Sequence, residues 1–207
     1  MNGAIIPSKL QSLIMYIIAQ CGRELGAIEL AKIVYLVDLE KMTLTGETIT
    51  GEKYTRQEKG PLAGNFGNCI NQMDGFELRV SIDTSGGNSS IPKHKHALGK
   101  RPRFQPTLEP IDLATTKRVL TRIRNLSPIQ IESLAYNSEP MKVILSKERE
   151  VGRILLGEVV DFSTVKPNAF LTKWRQNQKH AKPKDEKFKD FLAQERAEIS
   201  ELLASLG

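Results

Sequence analysis

Apolar residues recur at three- and four-residue spacing through Leu10, Leu13, Ile14, Ile17 and Ile18. That rhythm predicts an amphipathic helix over about Lys9–Cys21, with Pro7 and Ser8 just before it. Gly22 and Gly26 flank a short turn into a second helix, from near Ala27 to about Thr43, with Gly46 at a left-handed turn position. From Leu25 to Leu39 apolar residues cover almost the whole circumference, as in a helix buried on all sides. One ridge interrupts them. Glu29, Lys32, Tyr35 and Asp38 are three apart, so they are surface neighbours and form a contiguous polar strip. Such a strip is either the satisfied polar edge of a core helix or a surface that meets something outside the domain.

Residues 48–58 read as extended, with a strand near Lys53–Gln57. Gly60-Pro61 reads as a turn, with Pro61 opening a helix over about Leu62–Met73. Gly64 and Gly67 within that helix imply close packing, since glycine there otherwise costs about 1 kcal/mol. Phe76, Leu78, Val80 and Ile82 alternate with polar residues and predict a half-buried strand over Phe76–Asp83. A Gly/Ser loop follows over Thr84–Lys93, then a return strand near Arg101–Gln105. Asp112 reads as the N-cap of a helix over Leu113–Leu126. Ser127-Pro128-x-Gln130 combines an N-cap, a first-position proline and a capping-box glutamine, and starts a helix to about Tyr136. Ser138-Glu139-Pro140 starts another, to about Ser146. For Glu148–Phe162 a helical pattern (Val151, Ile154, Leu155, Val159) competes with Gly152 and Gly157, and both readings stay open.

The expected fold is α+β and mostly α, a helical bundle with a small antiparallel β-sheet occupying residues 1–165. After Val165 the composition shifts to a basic linker, 166–184, nearly without apolar residues apart from Trp174. A C-terminal amphipathic helix, 185–207, is expected next. Its Phe188, Leu192, Ile199, Leu202 and Leu206 follow coiled-coil seam spacing, with Glu195 in the one missing place. Such a helix docks on its own domain, pairs with a partner, or joins a second copy into a homo-oligomer.

At 207 residues and 40% hydrophobic content the chain supports one core-bearing domain of about 150 residues. LIMYIIAQC has the look of a short signal segment. However, Lys9 is the only charge before it and Gln20 precedes Cys21, so a cytoplasmic chain is expected. No apolar run approaches the roughly 18 residues that span a bilayer, so no membrane partner is expected. His94 and His96 fall in the Gly/Ser-flanked loop and His180 in the linker. His-x-His lacks a third ligand at metal spacing, so solvated loop histidines and no metal are expected. Cys21 and Cys69 are expected as small buried hydrophobes rather than activated thiols. Ser85-Gly-Gly-Asn-Ser-Ser lacks the Gly-Lys-Ser/Thr of a phosphate loop, and no nucleophile elbow or dinucleotide fingerprint occurs. Neither an enzyme nor a cofactor is expected.

The net charge of +6 is compatible with an acidic partner. Lys93, Lys95, Lys100, Arg101 and Arg103 cluster in sequence, and Lys117, Arg118, Arg122 and Arg124 stud one helix. Phe104 and Trp174 are of a type that stacks on bases. Lys100, Arg101, Arg103, Lys117 and Arg118 are therefore the candidate contacts to nucleic acid. The central helix is too apolar to read base edges in a major groove.

Within the central stretch, Lys32-x-x-Tyr35-x-x-Asp38, then Gly46 and Tyr54, then Gly60-Pro61, resembles the Panacea (SocA-like) antitoxin domain family. Leu126–Lys142 is similar to that family's closing helices. Where the family often shows a His-rich turn and a Trp, this chain has Tyr136-Asn137-Ser138-Glu139-Pro140-Met141. The resemblance implies a binding protein that neutralises a co-encoded bacterial or phage toxin by direct contact. It also implies that Lys32, Tyr35, Asp38, Tyr54, Gly60 and Pro61 serve as toxin-binding or family-motif positions, either interface or scaffold. A DNA-binding regulator of its own toxin–antitoxin operon, bound to operator DNA, is the second functional class.

Overall fold

The computed structural model describes residues 6–83 and 93–167. Helix α1 (Lys9–Cys21) starts at a full capping box: Ser8 Oγ accepts from the Gln11 N–H, and Gln11 Oε1 accepts from the Ser8 N–H. A two-residue strand β1 (Leu25–Gly26) leads into α2 (Ala27–Thr45), which ends at Gly46 with φ +76°. Next come strands β2 (Tyr54–Gln57) and β3 (Gly60–Ala63), helix α3 (Phe66–Met73), and strands β4 (Leu78–Asp83) and β5 (Lys93–Leu98). Helices α4 (Pro110–Ile123), α5 (Pro128–Tyr136) and α6 (Glu139–Val151) follow, then a 3-10 turn at Phe162–Thr164. The expected α+β, mostly helical bundle with a small antiparallel sheet is what forms.

Helix α2 is the axis. It packs on α1, α4, α5 and β3, so its apolar residues from Leu30 to Val37 are buried on every side. This is why its pattern carries no one-sided stripe. Sheet β1-β5-β4 is antiparallel, with Leu78 opposite Leu98 and Val80 opposite His96.

Several expectations need correction. Gly60-Pro61 opens a strand, not a helix. Gly60 pairs with Gln57 and Pro61 with Arg56 across the two-residue turn Glu58-Lys59. Positive φ at Gly60 (+93°) lets the hairpin close that tightly. The helix begins only at Phe66, so Gly64 lies outside it, and a Cβ on Gly67 would meet nothing within 4 Å. Close packing therefore does not explain Gly67. The return strand is Lys93–Leu98, because an antiparallel register with Leu78–Asp83 needs its partner at that distance along the chain. His94 and His96 are thus strand residues. His96 is buried, and its Nδ1–H donates to the Leu25 carbonyl at 3.1 Å. Arg101–Gln105 is loop, fixed by the Arg103 N–H on Glu77 Oε1 at 2.8 Å. The N-cap of α4 is Glu109; Asp112 is its reciprocal partner, because Pro110 already suits the first helical position.

The open stretch 148–162 resolves into both readings. Helix α6 runs to Val151 and stops at Gly152 (φ +66°). The chain then returns and adds to the free edge of β2: Arg56 N–H donates to Glu158 O, Gly157 N–H to Arg56 O, and Val160 N–H to Tyr54 O. Trp174, His180, most of the basic linker and the 185–207 helix lie outside the described residues, as does the loop 84–92.

Candidate functional site

Lys32, Tyr35 and Asp38 point from one side of α2 toward the β2–β3 hairpin and the last two helices. Asp38 is fully buried. Its Oδ1 accepts from the Ile49 N–H at 2.7 Å and the Thr50 N–H at 3.1 Å. Its Oδ2 accepts from the Tyr54 hydroxyl at 2.7 Å and from the Thr50 hydroxyl. Burial pushes the carboxyl up from its ordinary value, and these four donors oppose that shift. A carboxylate is the one form that accepts from all four. The loop after Gly46 is thereby tied to the middle of α2. Burial and the adjacent carboxylate push the Tyr54 hydroxyl well above its ordinary pKa.

The Tyr35 hydroxyl lies 2.7 Å from Ser138 Oγ, and Ser138 Oγ donates to Ala135 O at 2.7 Å. Since Ser138 has one proton to give, Tyr35 is the donor in their bond. Burial pushes Tyr35 up to about 12. The rings of Tyr35, Tyr54 and Phe162 form a triad, with centroids 5.3–5.7 Å apart. Phe162 closes the site from the side of the returning chain.

One turn earlier on α2, the Lys32 ammonium donates to the Pro61 carbonyl at 2.8 Å. Burial lowers Lys32 to about 8; Glu132 raises it and Arg56 lowers it further. Gly60 sits where a Cβ would stand 3.1 Å from Tyr136 Cε2 and 3.3 Å from Lys32 Cε. The Tyr136 hydroxyl donates to Glu58 O and accepts from Arg56 Nη1, both at 3.1 Å. Arg56 is buried and ion-paired with Glu148 (Nε to Oε1, 3.0 Å).

The structure thus brings all six motif residues together as one buried network, and each polar tip aims at another part of the chain. Lys32 fixes β3, Asp38 fixes the 46–51 loop and β2, and Tyr35 fixes the N-terminus of α6. Glu29, first on the polar ridge, stands apart and pairs with Arg23 (Nη1 to Oε2, 3.2 Å).

Sequence reasoning missed Thr50, Arg56, Tyr136, Ser138, Glu148 and Phe162. Ser138 was visible as a helix start. Tyr136 and Ser138 flank the start of α6 and complete the network there. Arg56 and Glu148 gave no local signal, being 92 residues apart.

The basic candidates have different settings. Arg103 holds Glu77 in a forked pair (2.9 and 3.0 Å) and lies over the Phe76 ring at 3.9 Å. Arg118 and Arg122 both hold Glu40 at 3.0 Å. Lys117 lines a cleft between α1, α4 and α5, while Lys100 and Arg101 are exposed. Among the described residues, no group of three or more His, Cys, Asp or Glu is placed to hold a metal ion. No helix of the described residues is long and apolar enough to cross a membrane.

A family model described as antitoxin SocA-like, Panacea domain, matches residues 30–140, more than half of the chain. The matched span runs from α2 into the first turn of α6 and contains all six motif positions. No curated protein and no solved structure matches the chain.

Proposed function

The chain belongs to the antitoxin SocA-like, Panacea-domain family, and from that premise we propose that it neutralises a co-encoded bacterial or phage toxin by direct protein–protein binding in the cytoplasm. Family membership supports an antitoxin role, implies a toxin as partner, and fits a non-catalytic part for this chain. The family match is the observation that carries the reading. Neutralisation on this view is stoichiometric occlusion of the toxin's active surface or of its substrate path.

We read residues 1–165 as the toxin-binding body, and Lys32, Tyr35, Asp38, Tyr54, Gly60 and Pro61 as its frame rather than its contact surface. Their burial supports that assignment, because a residue closed off by its own fold shapes an interface without touching the partner.

The test is growth rescue joined to co-purification. The neighbouring reading frame is induced in bacteria with and without this chain, and the tagged chain is recovered from the same cells. Relief of growth arrest with the neighbour co-purifying is the expected result. Relief without co-purification replaces direct binding with repression or degradation of the toxin. A harmless neighbour removes the toxin partner from the proposal.

A further inference from the structure

Large exposed apolar side chains concentrate on α6 and the segment returning from it. Val143, Val151, Ile154, Leu156 and Val159 are 43–57% exposed. Of these, Ile154 lines a groove beside α6, which ties exposed apolar surface to a concave site. The return runs close along the helix: Leu155 N–H donates to Glu148 Oε1, and Lys147 pairs with Glu158, both at 2.9 Å. Between them lies a groove of ≈ 590 Å³, with Leu145 and Ile154 as its apolar part and Lys142, Arg149 and Arg153 as its basic part.

These cations are weakly committed. Lys142 holds Glu139 in an exposed i,i+3 pair at 2.8 Å, a type worth little in water. Arg149 Nε reaches only the Leu145 carbonyl, at 3.3 Å. Arg153 makes no ion pair or hydrogen bond among the described residues. Glu148, the acidic residue of the lining, is already engaged by Arg56.

The chain itself contains a segment of complementary chemistry. Residues 185–207 carry the Phe188–Leu206 apolar seam together with six acidic and three basic side chains, a net charge of −3. The 3-10 turn at Phe162–Thr164 packs on α6, and the described chain ends at Pro167, close behind it. Seventeen residues, 168–184, then lead to Asp185. Extended, they span up to ~60 Å, against a radius of gyration of ~15 Å for a domain of this size. Reach does not limit where the segment lands.

We propose that residues 185–207 fold back as an amphipathic helix into the α6 groove, with the apolar seam on Leu145 and Ile154 and the acidic side chains toward Lys142, Arg149 and Arg153. The α6 surface is then an interface already occupied by the chain's own tail, which a partner must displace or build upon. This docking stands whether or not the chain neutralises a toxin.

Hydrogen exchange on the full chain tests it. In the docked form, amides of 185–207 exchange about tenfold or more slower than an unstructured peptide. Lys142→Glu/Arg149→Glu/Arg153→Glu removes that protection while α1 and α2 keep theirs. Glu198→Lys/Glu201→Lys in the tail, with Glu195 left in the seam, removes it as well, and joining the two sets restores it. Because the tail variant leaves the described body unaltered, it decides the matter even where the α6 variant folds poorly. Unprotected 185–207 amides in the native chain overturn the proposal, as does protection that survives the tail reversal. Protection that grows with protein concentration also overturns it, by assigning the seam to a second copy.

Discussion

The Tyr54 hydroxyl donates to a buried carboxylate and the Tyr35 hydroxyl to a neutral serine, both at 2.7 Å. This pair isolates the effect of charge on hydrogen-bond strength within one site. Tyr54→Phe keeps the ring in its aromatic triad and removes only the donor to Asp38. A hydrogen bond to a charged group contributes about 1.5–3 kcal/mol, and a neutral one about 0.5–1.5 kcal/mol. Tyr35→Phe should fall at the low end, since Ser138 Oγ keeps its bond to Ala135 O. A domain of this size loses about 2–4 °C of Tm per kcal/mol. Taking about 2 kcal/mol for Tyr54→Phe and about 1 kcal/mol for Tyr35→Phe, the losses are about 4–8 °C and about 2–4 °C. Thermal unfolding followed by circular dichroism at pH 7, with urea midpoints as a check, reads both. Equal losses would mean that Asp38 is a neutral acid in the fold, and the charge argument would be wrong. An unchanged Tm for Tyr54→Phe would mean that its hydroxyl bond contributes nothing. The frame assignment is tested on the same proteins: folded Tyr54→Phe should bind the toxin as the native chain does, and about a tenfold weaker Kd (1.4 kcal/mol) would place Tyr54 in the interface.

Four further variants test the network and its surroundings. Gly60→Ala should lower the urea midpoint, by about 1–3 kcal/mol in stability, because φ is +93° and the new methyl meets Tyr136 and Lys32. Gly67→Ala, with open space around it, should be neutral or stabilising by up to about 1 kcal/mol, and equal effects at the two sites would refute the distinction. Burial holds the Lys32 amine at about 8 against an ordinary 10.5, so between these values the unfolded chain binds more protons and stability climbs with pH. Lys32→Met abolishes that climb: between pH 8 and 10 the native chain should gain about 2–3 kcal/mol over the variant, and parallel stability–pH curves would contradict it. Burial pushes the Glu148 carboxyl up, but Arg56 and the Leu155 N–H hold it below its ordinary 4.5. Glu148→Gln should therefore lower stability at pH 7, since it leaves the buried Arg56 without its counter-charge. That deficit should fade as pH falls through the folded pKa, below 4.5, as read by urea titrations at neutral and acid pH. A deficit independent of pH would remove the ion pair as its cause.

The sequence by itself determined what is local or periodic. The bounds of α1, the start of α2, its αL stop at Gly46 and the capping box at Ser127 are set by residues within a turn or two of each other. Rotamer and capping preferences act at that range. The polar ridge of α2 was legible for the same reason, because three-residue spacing on a helix fixes which side chains are neighbours. What the ridge faces was not legible. Whether Lys32 meets solvent or the Pro61 carbonyl depends on where the hairpin packs, and Gly60-Pro61 is equally good local chemistry for a helix start and for a hairpin strand. The hairpin wins because β2 finds partners on both edges, β3 on one and 157–160 on the other. The latter comes from about a hundred residues away. His94 and His96 moved from loop to strand by the same route, since a strand exists only where its partner's register places it. Arg56 and Glu148, Tyr35 and Ser138, and Gly60 and Tyr136 are likewise pairs made by tertiary packing. Burial raises the cost of leaving any of their polar groups unpaired, and that cost, invisible along the chain, is what selects one arrangement.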